Sequence, residues 1–257
     1  MTLNPPGQYL DDRNLRTRQR LWSYQSPFFD IVGWVLGLAG LSPGVQVLDA
    51  GCGNGLYLRG LRERRVRAAG CDRSLGMLRT VSHPALLNGD VTGLPVRDGV
   101  MDVVIAAHML DLVTDRPAAI RELRRVLVPG GRCLVVTNGG QHLRSLRELV
   151  ENAVRPETPG WRMLPPTHAF AAENAAAQLG AAFGSVTRVR PAGAGPVVIR
   201  DAAVAADYVA SLASYYQAET TRPWDDVVEA VRGDVQAVID RQGSFMTAGD
   251  LAAFVCR

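Results

Sequence analysis

The chain has 257 residues, of which 47% are hydrophobic and 21% charged, with a formal net charge of +3. That length suffices for one large α/β core, and a charge so small and so mixed in sign gives no reason to expect a nucleic-acid partner. All 28 basic residues are arginine, and no apolar stretch approaches membrane-spanning length or follows a basic leader; the expectation is a cytoplasmic protein with no membrane partner.

Taken in order, residues 1–44 form an N-terminal helical segment. Residues 1–11, with their Pro and Gly, predict a loose start. Arg13, Arg16 and Arg20 recur at helical spacing and predict a polar-faced helix from Asp12 to Trp22. Phe28, Ile31, Val32, Val35 and Leu36 predict the apolar face of a second helix from Pro27 to Leu38, broken by L-S-P-G at 41–44. Val45 to Ala50 then read as a buried strand running into Gly51, Gly53 and Gly55 and on into a helix over 55–64. Glycines at a strand-to-helix joint let backbone approach a ligand with no Cβ in the way. Asp49 separates this turn from a phosphate loop, because a carboxylate there would repel a pyrophosphate and favour a cationic ligand.

The arginines Arg62, Arg64, Arg65 and Arg67 crowd the end of that helix, where cations are favourable, and read as a solvated helix end. A second strand, Val66 to Cys71, ends in Asp72. An acid at that tip suits a pair of ribose hydroxyls; it could also cap the helix of L-G-M-L-R-T, but Ser74 suffices for that, and the ribose role is favoured. A short third strand, Ala85 to Leu87, leads to N-G-D-V, where Asp90 and Val91 could meet an exocyclic amine and a ring nitrogen. Asp102 to Ala107 form a fourth strand tipped by His108. A helix from Arg116 to Leu127 ends at P-G-G, and Arg132 to Thr137 form the fifth strand. Strand and helix alternating in this way predict a Rossmann-like, doubly wound, mostly parallel sheet, whose ligands sit beyond the carboxyl ends of the strands.

D-A-G-C-G-N-G at 49–55, D-R-S-L-G-M-L at 72–78, G-D-V-T-G-L-P at 89–95 and L-V-P-G-G at 127–131 together resemble the class I S-adenosylmethionine-dependent methyltransferases of the "methyltransferase type 11" group. The resemblance covers roughly residues 20 to 140. It implies about seven strands, S-adenosyl-L-methionine as cofactor and S-adenosyl-L-homocysteine as product. It also implies a cofactor-binding set of Tyr24, Asp49, Gly51, Cys52, Gly53, Asp72, Arg73, Met77, Asp90, Val91, His108 and Met109. Within that set Gly51 and Gly53 pass under the methionine portion with Asp49 near its ammonium, Met77 packs by the adenine, and Tyr24 closes over the cofactor.

The whole chain, 1–257, reads as one methyltransferase domain: the segment 1–44, a cofactor-binding core over 45–140 and a substrate cap with closing strands over 141–257. In the last part a helix holds Leu143, Leu146, Leu149 and Val150; Arg155 to His168, with Pro156, Pro159, Pro165 and Pro166, form a loop or lid; and Phe170 to Phe183 are helical. Ser185 to Arg190, Val197 to Arg200 and Leu251 to Cys256 read as strands, the last inserted antiparallel by family precedent. Helices near 201–216 and 223–241 would build the acceptor pocket.

Methyl transfer is a direct displacement, so the protein aligns the acceptor and excludes water, with no covalent nucleophile and no metal motif. His108 is the candidate general base, weighed equally against a positional contact to cofactor. His142 and His168 read as surface or capping residues. Tyr215, Tyr216 and Trp224 could line an acceptor pocket but at helical spacing read first as core, and Trp161 reads as a mobile substrate contact. The isolated cysteines Cys52, Cys71, Cys133 and Cys256 read as buried reduced thiols. The expected partner is a small-molecule methyl acceptor, on a monomer or homodimer. Transfer would be to O, N or C, with natural-product biosynthesis the expected setting. Two other classes remain open: a NAD-dependent oxidoreductase, and a non-catalytic cofactor-binding protein on the same fold.

Overall fold

The computed structural model describes residues 7–163 and 166–257. Helices α1 (Arg13–Leu21) and α2 (Ile31–Leu38) precede strand β1 (Gln46–Ala50). Helix α3 (Leu56–Glu63), β2 (Arg67–Asp72), the short α4 (Leu75–Leu78), β3 (Leu86–Asn88), β4 (Met101–Ala107), α5 (Arg116–Arg125) and β5 (Leu127–Asn138) continue the alternation. Then come α6 (Arg144–Val154), α7 (Ala175–Leu179), β6 (Val186–Val189), β7 (Val197–Ile199), α8 (Ala202–Ala210), α9 (Ala213–Tyr216), α10 (Trp224–Gln242), β8 (Phe245–Thr247) and β9 (Leu251–Cys256).

Seven strands form one sheet in the order β3-β2-β1-β4-β5-β9-β6. β1 to β5 are parallel, and β9 runs antiparallel between β5 and β6. Both faces are covered, which is why the inner strands are apolar at consecutive positions. Val47, Val103, Ile105, Leu134 and Val136 pack on the face that holds Val35 and Leu36 of α2 and Leu58 and Leu61 of α3. Their chain neighbours Leu48, Val104, Ala106, Cys133 and Val135 pack on the face that holds Ile120 and Leu123 of α5 and Leu179 of α7. A third cluster, centred on Val209, Tyr216, Trp224, Val227 and Val231, forms a helical cap beside the sheet. All four cysteines are buried and unpaired. The chain order reverses between β1 and β4, so adjacent connections leave in opposite directions and open a crevice at those strands' carboxyl ends.

Several elements differ from expectation for identifiable reasons. Helix α2 starts at Ile31 because Asp30 caps it, accepting from the Gly33 N–H at 2.9 Å; Phe28 lies before the helix, 70% exposed, and is no part of its apolar face. The L-V-P-G-G run lies within β5 as a bulge: Leu127 pairs with Met101 and Arg132 with Val103. Residues 170–174 are not helical, and Asn174 closes a turn there by accepting from the Ala171 N–H at 2.8 Å. Strand β7 leaves the main sheet to pair with β8, because Val197 and Ile199 are buried in the cap cluster. Of the Pro-rich lid, Pro165 lies outside the described residues, as do residues 1–6 of the expected loose start.

Candidate active site

A cleft of about 740 Å³ opens at the crevice, within the range of nucleotide-sized sites. Gly51, Cys52, Gly53, Asp72, Arg73, Met77, Asp90, Val91, His108 and Met109 all line it. The glycine turn is built by backbone. Gly51, Gly53 and Gly55 have φ of 74°, 51° and 76°, a region that disfavours side chains. The N–H groups of Gly51 and Cys52 both donate to the Cys71 carbonyl, at 2.7 and 3.0 Å, tying the turn to the end of β2. A Cβ on Gly51 would stand 2.8 Å from Met109 Cγ, so the turn and the β4 tip touch only because glycine is there.

Asp72 joins the turn to α4. One carboxylate oxygen accepts from the Gly53 N–H and the other from the Ser74 N–H, each at 2.8 Å. Burial raises its pKa against the lowering effect of those two donors. Ser74 caps α4 by accepting from the Met77 N–H at 3.1 Å, which leaves Asp72 free of that task. Met77 is buried on the floor. Asp90 caps the turn after β3, accepting from the Thr92 N–H and hydroxyl at 2.9 and 2.7 Å, with Arg73 3.9 Å away. Partial burial would raise its pKa, but those donors and Arg73 outweigh it and hold the carboxyl low.

Asp49 and Tyr24 do not line the cleft. Asp49 is 1% exposed beneath the glycine turn, and its Oδ2 has no partner among the described residues. Desolvation, with the charge of Asp72, pushes its pKa up to about 8. The Tyr24 hydroxyl accepts from Arg20 at 3.4 Å and the ring packs on the cap. Tyr9 stands over the cleft instead, its hydroxyl 2.9 Å from that of Tyr215.

His108 sits at the β4 tip with φ of 54°, and its N–H donates to the Val136 carbonyl at 2.8 Å. The ring opens to the cleft but protein encloses its other sides. That desolvation pushes its pKa down to about 4, against the effect of cleft water. His142, expected on the surface, also lines the cleft, its ring 5.2 Å from that of Trp22. Burial pushes it down to about 3, and the nearby His108 acts in the same direction. His168 is exposed and does not line the cleft.

Trp161 does not reach the cleft; it packs edge-on against Tyr216 at 5.8 Å, because Thr158 and Glu157 bond Thr221 and hold its segment to the cap. Tyr216 and Trp224 stack in the cap core as expected, whereas Tyr215 reaches the cleft. Sequence reasoning missed Tyr9, Arg18, Asp111 and Asp250, which also line it. Asp111 is 8% exposed with Oδ1 unpartnered, and desolvation pushes its pKa up to about 6. The one signal available for it was a carboxylate three residues past a strand tip.

The glycine turn, the Asp72 bridge and the unpartnered Asp49 oxygen fit a nucleoside ligand carrying a cation. Comparison with known proteins agrees. Residues 48–135 match the family described as "Methyltransferase domain". The chain is 38% identical over 122 residues to the malonyl-[acyl-carrier protein] O-methyltransferase of Serratia marcescens, covering 46% of this chain and 48% of that protein. It is 37% identical over 95 residues to the demethylmenaquinone methyltransferase of Corynebacterium kroppenstedtii, covering 36% and 42%. The chain thus spans about half or less of the length of these curated relatives. Among solved structures, an antibiotic-pathway protein of Anabaena variabilis ATCC 29413, described as a methyltransferase, shares the fold with a TM-score of 0.62 at 16% identity, covering 87% of this chain and 95% of that one. The YcgJ protein of Bacillus subtilis does so with a TM-score of 0.56 at 18% identity, covering 88% and 97%. Residues 48–135 thus match a methyltransferase domain, and the sheet around them has the fold of these solved structures.

Proposed function

We propose that this chain transfers a methyl group from S-adenosylmethionine to a small-molecule acceptor by direct displacement. The observation that carries the reading is the Asp72 carboxylate held by the Gly53 and Ser74 N–H groups at the mouth of the glycine turn. Bound cofactor would supply an electrophilic methyl on a sulfonium. Gly51, Cys52 and Gly53 would back its methionine portion, with Asp49 balancing the ammonium through the turn. Asp72 would accept from ribose hydroxyls with lone pairs that its backbone donors leave free. Met77, Asp90 and Val91 would frame the adenine, and Arg73, His108 and Met109 complete the contacts. His108, neutral at physiological pH, would take a proton from the acceptor. The cap over 141–257 would enclose the acceptor, and the relatives' printed names, which include an acyl-carrier substrate and a quinone precursor, agree with a non-nucleic-acid acceptor.

Calorimetry with S-adenosylmethionine, S-adenosylhomocysteine and NAD tests the reading. The first two should bind and NAD should not; binding of NAD alone would establish an oxidoreductase instead. Asp72→Ala should weaken S-adenosylmethionine binding more than about tenfold, about 1.4 kcal/mol, and an unchanged dissociation constant would remove Asp72 from the site. His108→Ala should lower turnover at unchanged cofactor affinity; a matching loss of affinity would make it a cofactor contact.

A further inference from the structure

Away from the glycine turn, the cleft extends between the tips of β4 and β5 toward the β8–β9 turn. His108, Asn138, His142, Trp22 and Asp250 line this lobe. Among the described residues, three non-glycine ones have positive φ: His108 at 54°, Leu143 at 51° and Arg65 at 55°. Two of the three thus serve this lobe, His108 directly and Leu143 by turning the chain just after His142. Left-handed backbone in a non-glycine residue persists only where its surroundings hold it, and it concentrates at working sites.

The surroundings here are explicit. The Gly139 N–H donates to the Asp250 carbonyl at 2.9 Å, the Gln141 N–H to Asp250 Oδ2 at 3.2 Å and the Leu143 N–H to the Ala248 carbonyl at 2.8 Å. Arg190 pairs with Asp250 Oδ1 at 3.4 Å, and a Cβ on Gly139 would collide with the Asp250 carboxylate. The loop that carries His142 is therefore clamped to the turn before β9. The clamp ends on the imidazole: the Asp250 N–H faces His142 Nδ1 at 3.4 Å. A backbone N–H can only donate, so Nδ1 accepts, and in a neutral ring the proton then belongs on Nε2. His142 is a fixed donor. The ring of His108 makes no hydrogen bond with the described residues, and Asn138 Oδ1 is buried without one.

We propose that this lobe binds the acceptor through a weakly acidic hydroxyl on a flat ring, a phenol or enol. His142 Nε2–H donates to one lone pair of that oxygen, and the hydroxyl proton is given to His108, which leaves the second lone pair free. Trp22, whose ring lies beside that of His142, supplies an apolar face for the acceptor's ring. Asp250 is the positioning residue. A cationic amine suits the lobe less well: Asp250 is engaged by Arg190, and Asp111 is flanked by Arg18 and Arg116. The inference rests on the methyltransferase reading, since it concerns the acceptor of that reaction.

The test uses protein saturated with S-adenosylhomocysteine, titrated by calorimetry with para-nitrophenol and with para-nitroanisole, which has the same ring but no hydroxyl. The phenol should bind about tenfold tighter or more. His142→Leu should abolish that preference, and Asp250→Ala, which keeps the backbone N–H but loses the carboxylate's hold on the Gln141 N–H, should weaken it, both leaving S-adenosylhomocysteine affinity unchanged; His142→Gln, which keeps a donor, should retain most of it. Equal or undetectable binding of both probes to the loaded wild-type protein overturns this inference alone. Failure to bind S-adenosylhomocysteine overturns the methyltransferase reading and takes this inference with it. Histidine nitrogen NMR of the loaded wild-type protein gives a check that needs no variant: His142 should carry its proton on Nε2, and an Nδ1–H tautomer overturns the proposal.

Discussion

Asp49 holds a carboxyl in the interior with one oxygen unpartnered and a pKa near 8, against an ordinary value of 3.8. Between those values the native state keeps a proton that the unfolded chain has lost. The contribution of Asp49 to stability therefore declines as pH rises from about 4 to about 8. Asp49→Asn should raise the melting temperature of the free protein at pH 8 more than at pH 5, and should weaken S-adenosylmethionine binding at both. A cation bound above the turn would favour the carboxylate, so cofactor binding should release a proton and tighten between pH 6 and 8. Calorimetry in buffers of different ionisation enthalpy measures this, and zero proton release with equal affinity across that range would refute it. The residue was legible as a departure from a phosphate loop, from charge alone. Its depth was not, because whether a strand's last carboxylate points into the cleft or beneath the turn is set by packing from Tyr57 and the loop, far from any local pattern.

The segment before α1 shows how an element can be unreadable yet structured. Gln8 donates to the Ser211 carbonyl at 3.2 Å and accepts from the Ser214 hydroxyl. The Tyr9 carbonyl accepts from the Ser74 hydroxyl at 2.6 Å, and Arg18 donates to both the Ser211 carbonyl and the Tyr9 hydroxyl. Residues 7–12 thus strap α4, on the cofactor side, to α8 and α9 on the cap. Gly76 makes this possible, since a Cβ there would overlap the Leu10 carbonyl. Gly76→Ala should free the strap, weaken S-adenosylmethionine binding about tenfold and speed proteolysis between residues 7 and 12; unchanged cleavage would show that the strap does not rest on Gly76. Nothing in a Pro- and Gly-containing stretch announces partners some two hundred positions away. Helices α1, α3 and α5, by contrast, were legible from the spacing of their own residues, because that determinant is local.

For the molecule as a whole, the alternation of strands and helices was enough to place four strand tips around one crevice, since parallel pairing and right-handed crossovers leave few alternatives. The departure of β7 was not legible: a run of Val-Val-Ile satisfies a seven-stranded sheet and a two-stranded ribbon equally well. Ligand linkage gives a global check on the assignment. At a hundredfold excess over its dissociation constant, S-adenosylhomocysteine should add about 2.7 kcal/mol of stability. For a chain of this size that corresponds to a melting shift of roughly 5–10 °C. NAD should give none.

The position of β9 has a consequence for the order in which the protein comes into being. Both of its neighbours, β5 and β6, precede it in the chain, and the clamp on His142 is carried by the turn that leads into it. During synthesis, β1 to β5 leave the ribosome with the glycine turn, Asp49, Asp72 and Asp90 before any residue of β9 exists. The glycine turn and these acids can therefore come together on a nascent chain at a stage when the loop that carries His142 lacks its clamp and the sheet edge along β5 is open.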